Sequence, residues 1–318
     1  MERNKAMKKK FTVILIGLVL VILVAIGKCF SLGHVPRETD QTSKIEENTQ
    51  ETVAKLVLDE PQDNYYLYHV LLGIYKDSQR DPEDALTELA SFAAKYEGED
   101  VSAYDTDPLK GAFGAMAQML KARIYAEKGD IRKALVSYEY AISRYGDIEI
   151  IGEDMHSSGP FGKTGAFALL CIANIYFDKP EKSLETYHRL IRQYPKAKKN
   201  YYEGGGQFDV EAFRKIVRIT EKKYSSERVI IECNQVLRES KNEELICKVL
   251  LTKARKLAEL NKTRESIETF QEIITKYPEV KTYYYPSREE HYALTASREA
   301  AALERKIEDE GLNDREKD

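Results

Sequence analysis

Patterns of catalytic or metal-binding residues are sparse in this chain of 318 residues. Gly162-Lys163-Thr164 matches the last residues of a phosphate-binding loop, in which backbone N–H groups and a lysine hold phosphates. That loop also needs a glycine five residues before Gly162, where Ser157 stands, and a parallel sheet, of which the sequence gives no sign. Paired metal-ligand spacing is absent from the five histidines, which are His34, His69, His156, His188 and His291. The sequence therefore predicts a protein that is not an enzyme and that holds no metal or other cofactor.

Two of the four cysteines have a spacing that could support disulfide chemistry. Cys233 and Cys247 flank a predicted turn at Lys241-Asn242 almost symmetrically, so an antiparallel helix pair would bring them to one level. If this part of the chain is exported, a disulfide between them is one interpretation. Two buried free thiols are the other, and the one that we favour.

The charge of the chain offers no argument for nucleic acid as a partner. Lysine and arginine number 49 against 53 aspartates and glutamates, which gives a formal net charge of −4. Nucleic-acid affinity depends on a surplus of basic residues that neutralise phosphates. We therefore expect protein partners and no nucleic acid.

A repeated segment positions the remaining polar residues. Residues 121–146 align with residues 253–278 without a gap. A third copy at 171–195 fits after two residues are deleted at its turn, and a weaker copy lies at 70–98. Eight residues of the first copy recur 132 positions later, namely Lys121, Ala122, Arg123, Ala126, Glu127, Arg132, Ile142 and Tyr145.

The repeat resembles the tetratricopeptide repeat, in which paired helices stack into a superhelix. At the family's spacing stand Ala122, Tyr125, Gly129-Asp130, Ala134, Tyr138 and Ala141. Small residues let two helices approach closely, large aromatic residues fill the adjoining space, and a glycine ends the first helix. The resemblance implies an all-α, tetratricopeptide-like α-solenoid of antiparallel helix pairs over residues 51–318.

Helical periodicity predicts helix pairs at 63–97, 108–145, 163–194, 209–240 and 242–277, and a capping helix at 287–310. Two insertions, 146–165 and 196–209, interrupt the repeat spacing. Their glycines predict loops at an exposed edge. Such loops either shape a binding site or reflect neutral variation.

The N-terminus predicts a membrane anchor. Residues 1–10 carry five lysines and arginines, and residues 11–27 carry no charge. As a helix, this uncharged stretch would reach roughly 25 Å, and the basic cluster should stay in the cytoplasm. We therefore expect a cytoplasmic tail (1–10), a transmembrane anchor (11–27), a polar tether (28–50) and a repeat domain outside the cytoplasm, periplasmic if bacterial. Cleavage after Gly27 and lipidation at Cys29 are alternatives, and Lys28 disfavours the second.

The resemblance also implies a binding surface, because the first helix of each pair lines the concave groove in this family. The residues that it points into a peptide-binding groove are Met119, Arg123, Leu170, Asn174, Lys248 and Arg255. Family members that clamp a C-terminal carboxylate need a basic residue where this chain has Met119, Leu170 and Leu251. That particular activity is therefore not expected.

The helix ending YHRLIRQYP resembles bacterial envelope repeat proteins. We expect a membrane-anchored protein–protein interaction scaffold, or a chaperone-like adaptor, in the cell envelope. One alternative is an enzyme or ligand-binding protein that uses the insertions at 146–165 and 196–209. Another is a structural protein that self-associates through the solenoid.

Overall fold

The computed structural model of the protein describes residues 64–96, 100–101, 109–110, 112–151, 160–199, 206–284 and 288–315. The predicted cytoplasmic tail, anchor and tether lie outside these residues. Within the described ranges, no helix is both long and apolar enough to cross a membrane.

The described residues form five antiparallel helix pairs and one final helix. The pairs are α1 (Asn64–Asp77) and α2 (Pro82–Tyr96), α3 (Ala112–Glu127) and α4 (Ile131–Tyr145), α5 (Thr164–Ile175) and α6 (Pro180–Gln193), α7 (Phe208–Lys223) and α8 (Ser226–Glu239), and α9 (Glu243–Glu259) and α10 (Thr263–Lys276); the final helix is α11 (Tyr292–Arg315). Each first helix contacts the first helix of the next pair, and α9 contacts α11 in the same way. The predicted helical solenoid is confirmed.

The turn between α3 and α4 forms as the repeat pattern predicts. Gly129 has φ +78°, a conformation that residues with a Cβ reach only with strain. The Asp130 side chain then caps α4 by accepting a hydrogen bond from the Lys133 backbone N–H at 3.2 Å.

Small residues bring the paired helices together. Ala122 on α3 and Ala134 on α4 are both fully buried. In two other copies a serine replaces Ala134, and its hydroxyl group donates a hydrogen bond to a carbonyl of the facing helix. Ser183 Oγ lies 3.0 Å from the Ala173 oxygen, and Ser266 Oγ lies 2.7 Å from the Ala254 oxygen. The serines therefore keep the close approach without leaving a buried hydroxyl unpaired.

Among the described residues, four two-stranded antiparallel hairpins follow the first, second, third and fifth helix pairs, and they correct the prediction that the insertions are loops only. The hairpins are β1 (Asp100–Val101) with β2 (Leu109–Lys110), β3 (Glu149–Ile151) with β4 (Pro160–Lys163), β5 (Lys198–Lys199) with β6 (Gly206–Gln207), and β7 (Lys281–Tyr284) with β8 (Arg288–His291). The second and third fall within the two insertions. Strands of two to four residues are too short to show the alternating pattern that identifies a strand.

Three hairpins leave their helix by the same backbone hydrogen bond. The N–H group of the third residue after a tyrosine donates to that tyrosine's carbonyl group. The pairs are Ile148 with Tyr145 at 2.9 Å, Ala197 with Tyr194 at 3.3 Å, and Val280 with Tyr277 at 3.3 Å. The same backbone turn therefore follows each of these three helices.

The same three hairpins also return to the solenoid alike. The first N–H group of the next helix donates to the carbonyl group that precedes the first strand. The pairs are Thr164 with Ile148 at 2.8 Å, Phe208 with Ala197 at 2.9 Å, and Tyr292 with Val280 at 3.0 Å. The hairpins are therefore a second repeated unit, which the sequence analysis missed.

Neighbouring hairpins pack through glycine. Gly162 in β4 has φ +128°, and a Cβ there would overlap the Lys198 carbonyl oxygen in β5. A Cβ at Gly146 or Gly165 would overlap the Tyr194 hydroxyl group. These contacts connect the hairpin before α5 to the hairpin before α7.

Candidate functional site

The first helices of the pairs (α1, α3, α5, α7 and α9) form one face of the solenoid, which we call the first-helix face. Contacts between successive pairs cross this face. At its N-terminal end, the Tyr75 hydroxyl group donates to Glu127 Oε1 at 2.7 Å. Arg123 Nε donates to the same oxygen at 3.0 Å, and its guanidinium carbon lies 4.8 Å from the centre of the Tyr75 ring. Tyr75 on α1 is thus connected to Arg123 and Glu127 on α3.

Similar contacts occur at the C-terminal end of this face. Arg255 on α9 binds Glu299 on α11 through two nitrogens, with Nη2 2.6 Å from Oε1 and Nε 3.0 Å from Oε2. Lys256 on α9 lies 2.8 Å from a Glu221 carboxylate oxygen on α7. The repeat-related residues Arg123 and Arg255 therefore both engage carboxylates, and Arg255 also fixes the final helix.

The other predicted groove residues differ in exposure. Met119 and Leu170 are each only 6% exposed and belong to the apolar core, so little of either side chain is open to a ligand. Asn174 is exposed at the end of α5, where its Oδ1 accepts a hydrogen bond from the Tyr187 hydroxyl group at 3.2 Å. Lys248 on α9 is half-buried. Asn174 is therefore the exposed one of the predicted groove residues on α5, whereas Lys248 shares α9 with Arg255.

Arg214 and Arg218, both exposed on α7, are functional candidates that the sequence analysis missed. In the part of the chain that the structure describes, neither guanidinium group forms a hydrogen bond or an ion pair. On one side of Arg218, Lys222 lies 5.8 Å from the centre of the Phe177 ring, just after α5. On the other side, Glu221 binds α9. Arg214 interacts with the charges of Glu244 and Lys248 on the neighbouring first helix α9. Arg218 stands one helical turn further along the same side of α7, which places both arginines on the first-helix face.

Burial and charges of both signs act on Lys248. Burial lowers the pKa of Lys248 to about 8, and the nearby charge of Arg214 acts in the same direction. Glu244 opposes the shift, but its carboxylate also accepts a hydrogen bond from Gln207 Nε2 at 3.1 Å. Burial and the charge of Asp209 raise the pKa of the Glu244 carboxyl, whereas the positive charges of Lys248 and Arg214 oppose that shift.

A signal for these arginines was present in the sequence. Arg214, Arg218 and Lys222 recur every four residues, opposite the buried Phe213 and Ile216. Such spacing places them on one side of a helix. The α7–α8 pair matches the repeat poorly, so the repeat alignment could not assign that side to the groove.

A second charged cluster lies inside the molecule, between the second helices α6 and α8. His188 is 2% exposed; its Nδ1 lies 2.8 Å from Glu239 Oε2, and its Nε2 lies 2.7 Å from Glu232 Oε2. Arg192 lies 2.7 Å from Glu239, and Arg228 lies 2.7 Å from Glu232. The histidine is enclosed, so we interpret this cluster as structural.

The charges of this cluster shift the pKa of both glutamates. Burial alone would raise the pKa of Glu232, but the hydrogen bonds and charges of His188 and Arg228 together outweigh it and lower the pKa. Burial likewise opposes ionisation of Glu239, and hydrogen bonds from Gln235 and His188 lower its pKa overall. Among the described residues, no group of three or more His, Cys, Asp or Glu side chains could hold a metal ion.

Cys233 and Cys247 are both buried and free. Burial raises the pKa of each thiol to about 12. Cys233 belongs to the central apolar cluster, whereas Cys247 belongs to the C-terminal cluster with Phe270 and Tyr292.

Comparison with known proteins identifies the repeat. Residues 249–279, which cover most of α9 and α10, match the tetratricopeptide repeat family. No curated protein sequence matches the chain.

Several solved structures are similar to this chain. A tetratricopeptide repeat protein from Parabacteroides merdae is 17% identical over 67% of this chain and 68% of its own, with a TM-score of 0.31. The C-terminal part of a repeat protein from Cytophaga hutchinsonii is 15% identical over 70% of this chain and 71% of its own, with a TM-score of 0.35. The apo form of RapI is 14% identical over 86% of this chain and 69% of its own, with a TM-score of 0.36. Residues 249–279 therefore match a tetratricopeptide repeat, and the helix pairs around them stack in a tetratricopeptide-like arrangement.

Proposed function

We propose that this protein is an interaction scaffold that binds a polypeptide segment along the first-helix face. A tetratricopeptide repeat fold supports a role in protein–protein interaction in general. The observation that carries the specific proposal is the exposure of Asn174, Arg214 and Arg218 on successive first helices. Asn174 can pair with the amide groups of a bound backbone, and the arginines can engage side-chain or terminal acceptors.

Site-specific photo-crosslinking tests this face. A photoreactive residue replaces Asn174 in the full-length chain, and a control chain carries it at Ile231, which is 53% exposed on the second helix α8. Irradiation of intact cells should yield a discrete adduct at position 174 that is absent at position 231. The same adducts from both positions would contradict a binding site on the first-helix face.

We also propose that residues 11–27 anchor the protein in a membrane, with the repeat domain in the cell envelope outside the cytoplasm. The basic residues before the uncharged run support this topology. In this setting the scaffold would act as an adaptor or chaperone for envelope proteins.

Labelling of an introduced cysteine tests the topology. A Ser43→Cys change is made in a chain whose Cys29 is replaced by serine, and spheroplasts are treated with a membrane-impermeant thiol reagent. Labelling of position 43 before lysis is expected. Labelling only after lysis would reject the orientation, and release of the chain into the soluble fraction would indicate cleavage.

A further inference from the structure

We propose that the bound segment is acidic and extended, and that Arg214 and Arg218 bind two of its carboxylates, spaced two residues apart. This inference rests on the proposed function and specifies the class of partner. It also makes α7, the first helix of the pair that matches the repeat poorly, the part of the face that determines specificity.

The contrast with neighbouring first helices carries the charge argument. The guanidinium groups of Arg123 and Arg255 are paired with glutamates, and Lys256 is held by Glu221. Arg214 and Arg218 are exposed and form no such pair within the described residues. Because charge-assisted contacts between arginine and carboxylate are strong, an acidic side chain is the ligand group that complements this pair.

The surroundings of the arginine pair add to its preference for negative charge. Lys222 stands one turn after Arg218, and Lys248 of α9 is near enough to Arg214 for their charges to interact. Glu221 on α7 pairs with Lys256, and Glu244 on α9 accepts a hydrogen bond from Gln207 and also interacts with the charge of Arg214. Lys222 and Lys248 therefore add positive charge beside the arginine pair.

The spacing of the arginines indicates the conformation of the ligand. Residues four apart on a helix are separated by about 6 Å along its axis. In an extended chain, side chains two apart lie on one face, separated by roughly 6.6 Å. A segment with the pattern acidic residue, any residue, acidic residue can therefore place one carboxylate against each guanidinium group.

Selection from a peptide library tests the inference separately from the proposed function. The full-length protein is used to select from displayed random 12-residue peptides, and the selected sequences are compared with the starting library. Enrichment of two acidic residues separated by one residue is expected. Selected peptides without any excess of acidic residues would overturn the acidic-ligand inference and leave the scaffold proposal standing. Failure to select any peptide would contradict both.

A charge-removing variant assigns the binding to α7. Arg214→Gln with Arg218→Gln should weaken binding of a selected peptide by about 10-fold or more, since each charge-assisted contact contributes strongly to affinity. The control variant is Arg132→Gln with Arg264→Gln, which removes two exposed arginines from the second helices α4 and α10. It has the same net charge, and its affinity should stay close to wild type.

Two further measurements complete the test. Circular dichroism should show equal helix content for both variants. Raising NaCl from about 50 to about 500 mM should weaken binding to the wild type more than to the Arg214/Arg218 variant. Equal loss of affinity in the two variants would overturn the assignment to α7.

Discussion

At the scale of single residues, the repeat pattern predicted which side chains allow helices to approach. It predicted the small buried residues Ala122 and Ala134 correctly. It did not predict why serine can replace Ala134, because the stabilising hydrogen bonds run to backbone carbonyl groups of the facing helix. The partner of Arg255 was equally hidden, since Glu299 belongs to the final helix and not to the repeat.

Ala122→Leu should destabilise the protein. Ala122 is fully buried, so a larger side chain must displace its neighbours, at a cost of about 1–3 kcal/mol in the free energy of unfolding. Ala301→Leu, at an exposed position of α11, is the matched control and should change stability little. Urea unfolding of both variants measures the difference. Equal midpoints would show that the predicted packing of Ala122 is wrong.

The buried histidine cluster should make stability depend on pH in the acidic range. The pKa values of Glu232 and Glu239 lie below the usual value of 4.5 in the folded protein. As the pH falls below about 4.5, the unfolded chain binds protons first, so these groups progressively lose their contribution to stability. The wild type should therefore lose stability between about pH 5 and 3.

A variant in which glutamine replaces both glutamates isolates this effect from the other carboxylates. Its stability, measured by urea unfolding at each pH, should fall less steeply over the same range than that of the wild type. Parallel curves for the two proteins would contradict a stabilising role for the ionised pair.

At the scale of elements, long periodic segments were predictable and short strands were not. Four of the five predicted helix pairs start and end within about two residues of those observed, because each helix shows several turns of apolar periodicity. The remaining pair was predicted to begin at residue 108, but β2 occupies 109–110 and α3 begins at Ala112. The capping helix also starts late, at Tyr292, because β8 occupies the four residues before it.

Gly162→Ala should disrupt the packing of neighbouring hairpins. The residue has φ +128°, a backbone conformation that alanine adopts only with strain, and the Cβ of alanine would also overlap the Lys198 carbonyl oxygen. We expect a loss of more than about 1 kcal/mol. Gly73→Ala is the control, because Gly73 lies within α1 and has no atom within 4 Å of the added Cβ. That change should stabilise the helix by about 0.5–1 kcal/mol.

Thermal unfolding followed by circular dichroism compares the two alanine variants. A lower midpoint for Gly162→Ala and an unchanged or higher midpoint for Gly73→Ala are expected. If Gly162→Ala unfolds at the same midpoint temperature as the wild type, the packing between these hairpins does not contribute to the stability of the solenoid.

At the scale of the whole described domain, stability is divided among three apolar clusters. The N-terminal cluster centres on Leu71 and Phe113, the central one on Tyr187 and Phe213, and the C-terminal one on Phe270. Each helix pair contacts its neighbours along the chain, as expected for a solenoid. Sequence periodicity predicted this architecture, but the charge pattern of the binding face depends on which helices become neighbours.

The final helix should protect the C-terminal cluster. Ala296 of α11 is fully buried in the cluster that contains Cys247, whereas Cys233 belongs to the central cluster. Ala296→Arg would place an unpaired charge in the C-terminal cluster and loosen α11. We therefore expect faster alkylation of Cys247 in this variant, while Cys233 remains protected. Ala301→Arg, on the exposed side of α11, should leave both thiols as slow as in the wild type.

Mass spectrometry of the alkylated peptides gives the rates for each cysteine. Unchanged protection of Cys247 in Ala296→Arg would show that α11 does not cover the cluster, and equal exposure of both thiols would show that the clusters unfold as one unit.

The same peptides, prepared without reductant from protein taken from its native compartment, also test the predicted alternatives for Cys233 and Cys247. Two thiols that become alkylated after unfolding would exclude the disulfide. A linked peptide pair would instead show that helices α8 and α9 are joined covalently, which would keep Cys247 unreactive even when α11 is loosened.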